Sequence, residues 1–83
     1  MKNEELLIDV IKVEALENYK LKLTFENGKI KMFDMREYLE LPVFEKLKNI
    51  EEFKTARIDF GTVVWGEKTD MAPDELYANS YEI

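Results

Sequence analysis

The stretch that decides the fold is Lys20-Leu21-Lys22-Leu23-Thr24-Phe25-Glu26-Asn27-Gly28-Lys29-Ile30-Lys31-Met32. Apolar and polar residues alternate on both sides of Asn27-Gly28, which is the period of a half-buried strand. Asn-Gly as a two-residue loop favours a type I′ hairpin, because both central residues of that turn need a positive φ. This loop predicts a register in which Phe25 faces Ile30 and Leu23 faces Met32 on the core side of a sheet.

A strand is expected before this hairpin. Ile8–Leu16 is rich in β-branched residues, which favour strands. Its alternation slips within the segment, because Ile8 and Val10 fall on one face while Ile11 and Val13 fall on the other. The slip indicates a β-bulge or a strand buried on both faces. A turn is then predicted over residues 17–19.

A short, interrupted helical region is expected after the hairpin. Asp34-Met35-Arg36-Glu37 has the residue spacing of a capping box and predicts a helical segment near Arg36–Leu39. Pro42 interrupts this segment. Beyond it, apolar residues recur at helical spacing, so residues 43–48 and 50–54 are predicted as one broken helix or two short helices whose apolar stripe lies across the sheet.

A second hairpin and a helical turn follow in the sequence. Apolar and polar residues alternate over residues 56–65, and Gly61-Thr62 is predicted as the turn, which places Phe60 opposite Val63. Pro73 is suited to the first position of a helix and is followed by acids that favour a helix N-terminus. One helical turn is therefore expected in the last part of the chain.

Together these elements predict one α+β domain over residues 1–83 with the order β-β-β-α-β-β. Two antiparallel hairpins form a sheet, one broken helix packs against it, and a C-terminal helical turn closes the fold. The core is expected from the residues that share the inward phase of their elements. These residues are Leu23, Phe25, Ile30, Met32, Leu47, Ile58 and Phe60.

The composition excludes many kinds of enzyme. The 83 residues contain no His and no Cys, which excludes disulfides, Cys/His zinc sites and nucleophile systems built on those residues. Ser80 is the only serine, which argues against a serine hydrolase. One small core leaves little room for a cleft with a catalytic carboxylate pair, and no calcium-loop spacing is present. A non-enzymatic protein without a metal or cofactor is expected.

The charge is acidic and unevenly placed. The chain has 12 Lys+Arg and 18 Asp+Glu, a formal net charge of −6, and residues 67–83 contain one lysine and five acids. Such a balance argues against direct binding to nucleic acid and suits a basic protein partner. The outer face of the first hairpin is predicted to carry solvated lysine side chains on an exposed sheet face, namely Lys20, Lys22, Lys29 and Lys31.

The segment from Trp65 to Tyr77 combines aromatic residues with acids, which is typical of binding surfaces. The candidate partner-binding residues are Trp65, Asp70, Asp74, Glu75 and Tyr77. A structural alternative remains open, in which Trp65 packs inside the hairpin while Pro73, Leu76 and Tyr77 clasp the sheet.

Three motifs carry a family resemblance. They are the hairpin Leu21-x-Leu23-x-Phe25-x-Asn27-Gly28, Asp34 after the third strand, and the closing Trp65…Asp70-x-x-Pro73-x-x-Leu76-Tyr77. Over roughly residues 8–77 the chain resembles the domain of unknown function 2442 family, which comprises small bacterial and phage α+β proteins. Family members often have Asn-Gly between the Trp and the Asp, where this chain has Gly66-Glu67-Lys68-Thr69. The resemblance implies the fold and no catalytic residue.

Three functional hypotheses follow. The leading one is a small non-enzymatic interaction module that binds a basic protein. The resemblance adds an antitoxin-like role, since some family members look like one partner of a toxin–antitoxin pair. The first alternative is a ligand-sensing or transcription-related regulatory domain that acts with a separate DNA-binding protein, since other members carry a helix-turn-helix domain. The second is a phage-type inhibitor whose acidic surface mimics nucleic acid.

The sequence also bears on assembly and location. An exposed edge strand would offer a route to a homodimer. No apolar run approaches the ~20 residues that span a bilayer. Residues 1–8 are too short and too acidic for a signal peptide, so a cytoplasmic protein is expected.

Overall fold

The structure is a computed structural model that describes residues 8–83, and within them seven strands form two antiparallel sheets. The α+β class is confirmed, but the two hairpins belong to separate sheets instead of one. The expectation that the chain starts without a signal peptide concerns residues 1–8, which lie outside the described range except for Ile8. The helices within residues 8–83 are all too short or too polar to cross a membrane.

The elements follow one another in the order strand, helix, strand, helix, strand. The strands are β1 (Val10–Ala15), β2 (Lys20–Phe25), β3 (Ile30–Asp34), β4 (Arg57–Asp59), β5 (Thr62–Trp65), β6 (Thr69–Asp70) and β7 (Tyr81–Glu82). The helices are two 3₁₀ segments, Tyr38–Glu40 and Pro42–Lys48, and the α-helices α1 (Ile50–Phe53) and α2 (Pro73–Asn79). The larger sheet has the order β1-β2-β3-β7, and the smaller sheet has the order β4-β5-β6.

Both sheets and the helices contribute side chains to one hydrophobic core. Its buried members are Ile8, Val10, Leu21, Leu23, Phe25, Phe33, Met35, Leu39, Phe44, Leu47, Phe53, Val63, Trp65, Met71 and Leu76. Burial of each large apolar side chain stabilises the fold by about 1.5–3 kcal/mol. Of the predicted core, Leu23, Phe25 and Leu47 are buried as expected, and Ile58 is half-buried.

The irregularity predicted for the first strand is confirmed. Val10 lies opposite Phe25 and Lys12 lies opposite Thr24, so Ile11 is one extra residue on β1. This is the two-against-one arrangement of a β-bulge. It allows Val10 to be buried while Ile11 is exposed.

The loop of the first hairpin has three residues, and the predicted two-residue turn is wrong. The Gly28 N–H donates to the Phe25 carbonyl oxygen over 2.8 Å, and the Phe25 N–H donates to the Lys29 carbonyl oxygen over 2.9 Å. Gly28 has a φ of +88°, whereas Asn27 is not among the described residues with a positive φ. This pattern is a type I turn followed by a left-handed glycine.

The longer loop shifts the register by one residue and turns β3 over. Leu23 lies opposite Lys31 instead of Met32. Lys31 and Phe33 therefore face inward, whereas Ile30 is 42% exposed and Met32 is only half-buried. The predictions of Ile30 and Met32 as core residues and of Lys31 as an outer-face lysine are wrong for this one reason.

The second hairpin turns one residue earlier than predicted. Asp59 lies opposite Thr62, so Phe60 and Gly61 form the two-residue loop. Their φ angles are +52° and +78°, as a type I′ turn requires. Phe60 therefore lies at the hairpin tip, 96% exposed, and its prediction as a core residue is wrong.

The helical region is broken as predicted, but it starts differently. The Asp34 carboxylate accepts the Arg36 N–H at 3.0 Å instead of capping a helix, and helical structure begins only at Tyr38. The segments 42–48 and 50–53 confirm the predicted interruption. Asn49 caps α1, since its side-chain oxygen accepts the Glu51 N–H at 3.0 Å. Helix α2 begins at Pro73 as predicted.

Candidate functional site

Helix α2 is fixed against the larger sheet by its inward face. Leu76 is fully buried, and the Tyr77 ring meets the Phe25 ring edge-on with 4.9 Å between centroids. The Tyr77 hydroxyl lies 3.3 Å from the side-chain nitrogen of Asn27 in the first hairpin loop. Tyr77 therefore packs α2 against the sheet, as in the structural alternative that the sequence left open.

Lys31 fixes the same helix from the sheet side. Its ammonium donates to the Tyr77 carbonyl oxygen over 2.6 Å and lies 4.0 Å from the centre of the Tyr77 ring. A cation that binds the last carbonyls of a helix also interacts favourably with the helix dipole. The inward lysine is therefore accommodated by its contacts with α2, although the alternating pattern of β3 gave no sign of it.

Trp65, the first predicted site residue, belongs to the core. It is 3% exposed, its indole N–H donates to the Phe53 carbonyl oxygen over 2.9 Å, and its ring stacks on that of Phe53. These contacts satisfy its polar atom and bury its ring. The Trp65 side chain is consequently not presented at the surface.

The three predicted acids are exposed. Asp70 ends β6 opposite Val64, and Asp74 and Glu75 lie in the first turn of α2. Carboxylates in that position interact favourably with the helix dipole. The Glu75 carboxylate accepts the Tyr38 hydroxyl at 3.2 Å. Burial, and after it the hydrogen bond to Glu75, raises the pKa of Tyr38 above its ordinary value.

Two of these acids border one depression, which we call the acidic cleft. It has a volume of about 240 Å³ and is lined by Tyr38, Leu41, Phe44, Asp70, Met71, Ala72 and Glu75. Phe44 and Met71 are each 6% exposed, whereas Leu41 is 47% exposed. The cleft therefore combines apolar side chains with two carboxylates. Asp74 lies beside Glu75 on α2, outside the lining.

Sequence reasoning missed the half of this cleft that comes from the helical region. Tyr38 and Phe44 were interpreted only as parts of helical segments, and Leu41 was assigned to no element. The sequence held no signal for Leu41, because its 47% exposure is visible only in the folded chain. Only the folded chain shows that this segment meets α2.

The chemistry of the cleft is that of cation recognition. The ion pairs found among residues 8–83 are Lys29–Glu82, Arg36–Asp34 and Lys54–Glu17, so neither Asp70 nor Glu75 belongs to one. No Lys or Arg lines the cleft. Residues 8–83 also contain no group of three or more acids that could hold a metal ion. A lysine or arginine side chain matches both its apolar walls and its charge.

The outer face of the larger sheet forms a second, basic surface. A shallow depression there is lined by Lys12, Val13, Glu14, Lys22, Thr24 and Ile30. The Lys20 ammonium lies 3.3 Å from the Tyr81 hydroxyl. The depression therefore has two lysines and one acid in its lining.

The pair Asp34–Arg36 lies next to Lys20 in the same region. The Arg36 guanidinium contacts the Asp34 carboxylate at 2.7 Å. Its hydrogen bond lowers the pKa of Asp34 from 3.8 to about 2. This carboxylate is consequently neutralised by its partner and adds little to the acidity of the surface.

Comparisons with known proteins agree with this fold. A search of functionally curated proteins found no match. The crystal structure of "Putative DNA Binding Protein NE0471" from Nitrosomonas europaea ATCC 19718 is similar to this chain, with a TM-score of 0.79 and 28% sequence identity. The match covers 88% of this chain and 48% of that protein, so this chain spans about half its length.

The family comparison covers nearly the whole chain. A family model described as "Protein of unknown function (DUF2442)" matches residues 10–82. This match confirms the resemblance carried by the first hairpin, Asp34 and the Trp65–Tyr77 segment. The chain therefore belongs to the DUF2442 family of proteins of unknown function.

Proposed function

We propose that this domain is a non-enzymatic interaction module that binds a basic protein through the acidic cleft and the adjoining first turn of α2. Two carboxylates support this function. Asp70 and Glu75 border an apolar cleft, and neither forms an ion pair with a lysine or arginine among residues 8–83. A lysine or arginine of the partner would place its methylene groups against Phe44 and Met71 and its charge between the two acids.

The net charge favours the same kind of partner. At −6, the chain attracts a basic protein over several ångströms beyond contact, and steering of this kind raises association rates at low salt. Small acidic proteins that cover a basic surface fit an antitoxin-like role. That role is the specific form of the function that we propose.

The test is a kinetic comparison on a co-purified partner. The chain is expressed together with the products of its neighbouring genes, and the protein that co-purifies is used to measure association and dissociation rates. Asp74→Lys with Glu75→Lys should lower the association rate on the order of tenfold at low salt, with a smaller loss at high salt.

A matched variant separates local charge from net charge. Glu51→Lys with Glu52→Lys makes the same charge change in the first turn of α1, also at exposed positions. This control should slow association much less than the α2 variant. Equal slowing by both variants, or an unchanged rate in the folded α2 variant, would contradict binding through the acidic cleft. Thermal melts of both variants exclude unfolding as the cause, since Glu75 also binds Tyr38.

A second candidate function is a regulatory domain that acts with a DNA-binding unit. The neighbour from Nitrosomonas europaea bears the name of a DNA-binding protein and is about twice as long as this chain, which supports the pairing of such a domain with another unit. The acidic charge of this chain disfavours binding to phosphates by the domain itself.

DNA added to the kinetic assay discriminates the candidates. A regulatory domain should change the affinity of the co-purified protein for a labelled duplex without losing its own binding. An inhibitor that mimics nucleic acid should instead be displaced by the duplex. An interaction module without a link to DNA should leave duplex binding unchanged.

A further inference from the structure

Phe60 lies where folding alone does not favour a phenylalanine. Its side chain is 96% exposed, so it contributes no buried surface to the core. Its φ of +52° lies in the left-handed region, which asparagine and glycine adopt far more readily than an aromatic residue. Residues held in such conformations often mark functional sites.

The hairpin tip that carries Phe60 is held in place on several sides. The Val10 N–H of β1 donates to the Gly61 carbonyl oxygen over 2.9 Å. The hydroxyl of Thr62 donates to the Met71 carbonyl oxygen. A Cβ atom at Gly61 would lie 2.6 Å from the Asp9 carboxyl carbon, which shows how closely β1 and its preceding residue approach the tip. The ring is thus presented on a fixed support, which lowers the entropic cost of binding.

The surface around Phe60 is continuous with the acidic cleft. Phe60 borders a depression of about 250 Å³ whose other lining residues are Arg57, Asp59, Val64, Gly66, Glu67, Lys68, Thr69 and Asp70. Asp70 lines the acidic cleft as well. The exposed ring and the cleft therefore lie on adjoining parts of one surface, with a shared carboxylate between them.

We infer that Phe60 is the aromatic anchor of this surface and inserts into an apolar pocket of the same basic protein that the acidic cleft receives. This inference rests on the proposed function. Asp59, Glu67 and Asp70 outnumber Arg57 and Lys68 in the lining of the depression, so its charge complements basic groups around such a pocket. Aromatic residues are enriched in the buried centre of interfaces.

The first test uses the domain alone. Phe60→Asn and Phe60→Gly should raise the melting temperature, because both replacements suit the left-handed turn and no buried surface is lost. A lowered melting temperature for both variants would show that Phe60 serves the fold and would overturn the inference.

The second test locates the contact in cells. A photo-reactive phenylalanine analogue is placed at position 60 or, as a control, at Ile30, which is 42% exposed on the outer face of the larger sheet. The analogue at position 60 should cross-link to the co-purified protein, and the analogue at position 30 should not. Equal or absent cross-linking at position 60 would overturn the inference.

The third test separates the anchor from the acidic cleft. Phe60→Asn should weaken binding roughly tenfold or more, mainly through faster dissociation, whereas Ile30→Ala on the outer face of the larger sheet should not. The α2 charge reversal should act on association instead. If only the charge reversal has an effect, the anchor is wrong and the proposed function stands. If only Phe60→Asn has an effect, the acidic cleft is wrong and Phe60 remains a contact.

Discussion

The two hairpins differ in how their loop residues contact the rest of the molecule. In the first hairpin, the Asn27 side chain accepts the Lys29 N–H at 3.1 Å and donates to the Tyr77 hydroxyl at 3.3 Å. In the second hairpin, the corresponding loop residue Phe60 is almost fully exposed. The first loop is thus part of the packing of α2, whereas the second loop is held through Gly61 against β1 and presents the Phe60 side chain to solvent.

This difference shows which interactions choose a hairpin register. The three-residue loop directs Lys31 and Phe33 inward, where Phe33 is buried and Lys31 binds the C-terminal turn of α2. A two-residue loop would direct Ile30 and Met32 inward and leave the Tyr77 carbonyl oxygen without its lysine. Packing against α2 therefore outweighs the preference of Asn-Gly for a type I′ turn.

The largest expected effect tests this register directly. Phe33→Ala should destabilise the domain by about 3–5 kcal/mol, because it removes a buried aromatic side chain. Ile30→Ala should cost far less, since Ile30 faces outward. Urea unfolding of both variants measures the two costs. The reverse order would indicate the two-residue loop.

A smaller loss of stability is expected when the hydrogen bond from Lys31 of β3 to the Tyr77 carbonyl oxygen of α2 is removed. Lys31→Met keeps most of the apolar stem and removes the ammonium, which leaves the Tyr77 carbonyl oxygen with only the Ser80 hydroxyl as a side-chain donor, 3.3 Å away. The loss should be about 1–3 kcal/mol in chemical denaturation. The control is Lys29→Met, which breaks only an exposed pair with Glu82 and should have a much smaller effect. Similar losses of unfolding free energy in the two variants would mean that Lys31 contributes no more stability than an exposed lysine.

The glycines of the two loops should respond differently to the same substitution. Gly28→Ala should cost about 1–2 kcal/mol, because its φ is positive but its surroundings are open. Gly61→Ala should cost more, since its Cβ also meets the Asp9 carboxylate. Asp9→Ala should then reduce the excess in a double-mutant cycle. Equal costs would show that β1 does not restrict the second loop.

The smallest expected effect on stability comes from the ion pair between Asp34, at the end of β3, and Arg36. The folded pKa of Asp34, about 2, lies below its ordinary 3.8, so the pair with Arg36 stabilises the fold above about pH 4. That stability should disappear as the pH falls through about 2. The Asp34 carboxylate is 35% exposed, so solvent screening should keep the effect below about 1 kcal/mol. A carboxyl NMR titration measures the pKa, and Asp34→Asn removes the pH dependence if the pair causes it.

Local patterns predicted most of the elements. The bulge in β1, the interruption at Pro42 and the start of α2 at Pro73 were all predictable, because each depends on residues that are neighbours in the sequence. Two strands were missed. Thr69–Asp70 and Tyr81–Glu82 have two residues each, which is too short for an alternating pattern.

The remaining differences depend on tertiary contacts. The register of β3 depends on α2, which lies some forty residues later in the chain. The acids of the candidate site were found because they cluster in the sequence, but Trp65 was included there although it lies in the core. Tyr38 and Leu41 were missed because only the fold brings them to Asp70 and Glu75.

Strand β7 has a consequence for the solubility of the domain. Its Tyr81 and Glu82 pair with Met32 and Lys31 and so cover the edge of β3. An uncovered strand edge presents free N–H and C=O groups to other chains and is a common start of aggregation. The two residues of β7 therefore cover two of the five residues of β3. Proteolytic loss of this short strand would convert β3 into a template for intermolecular pairing.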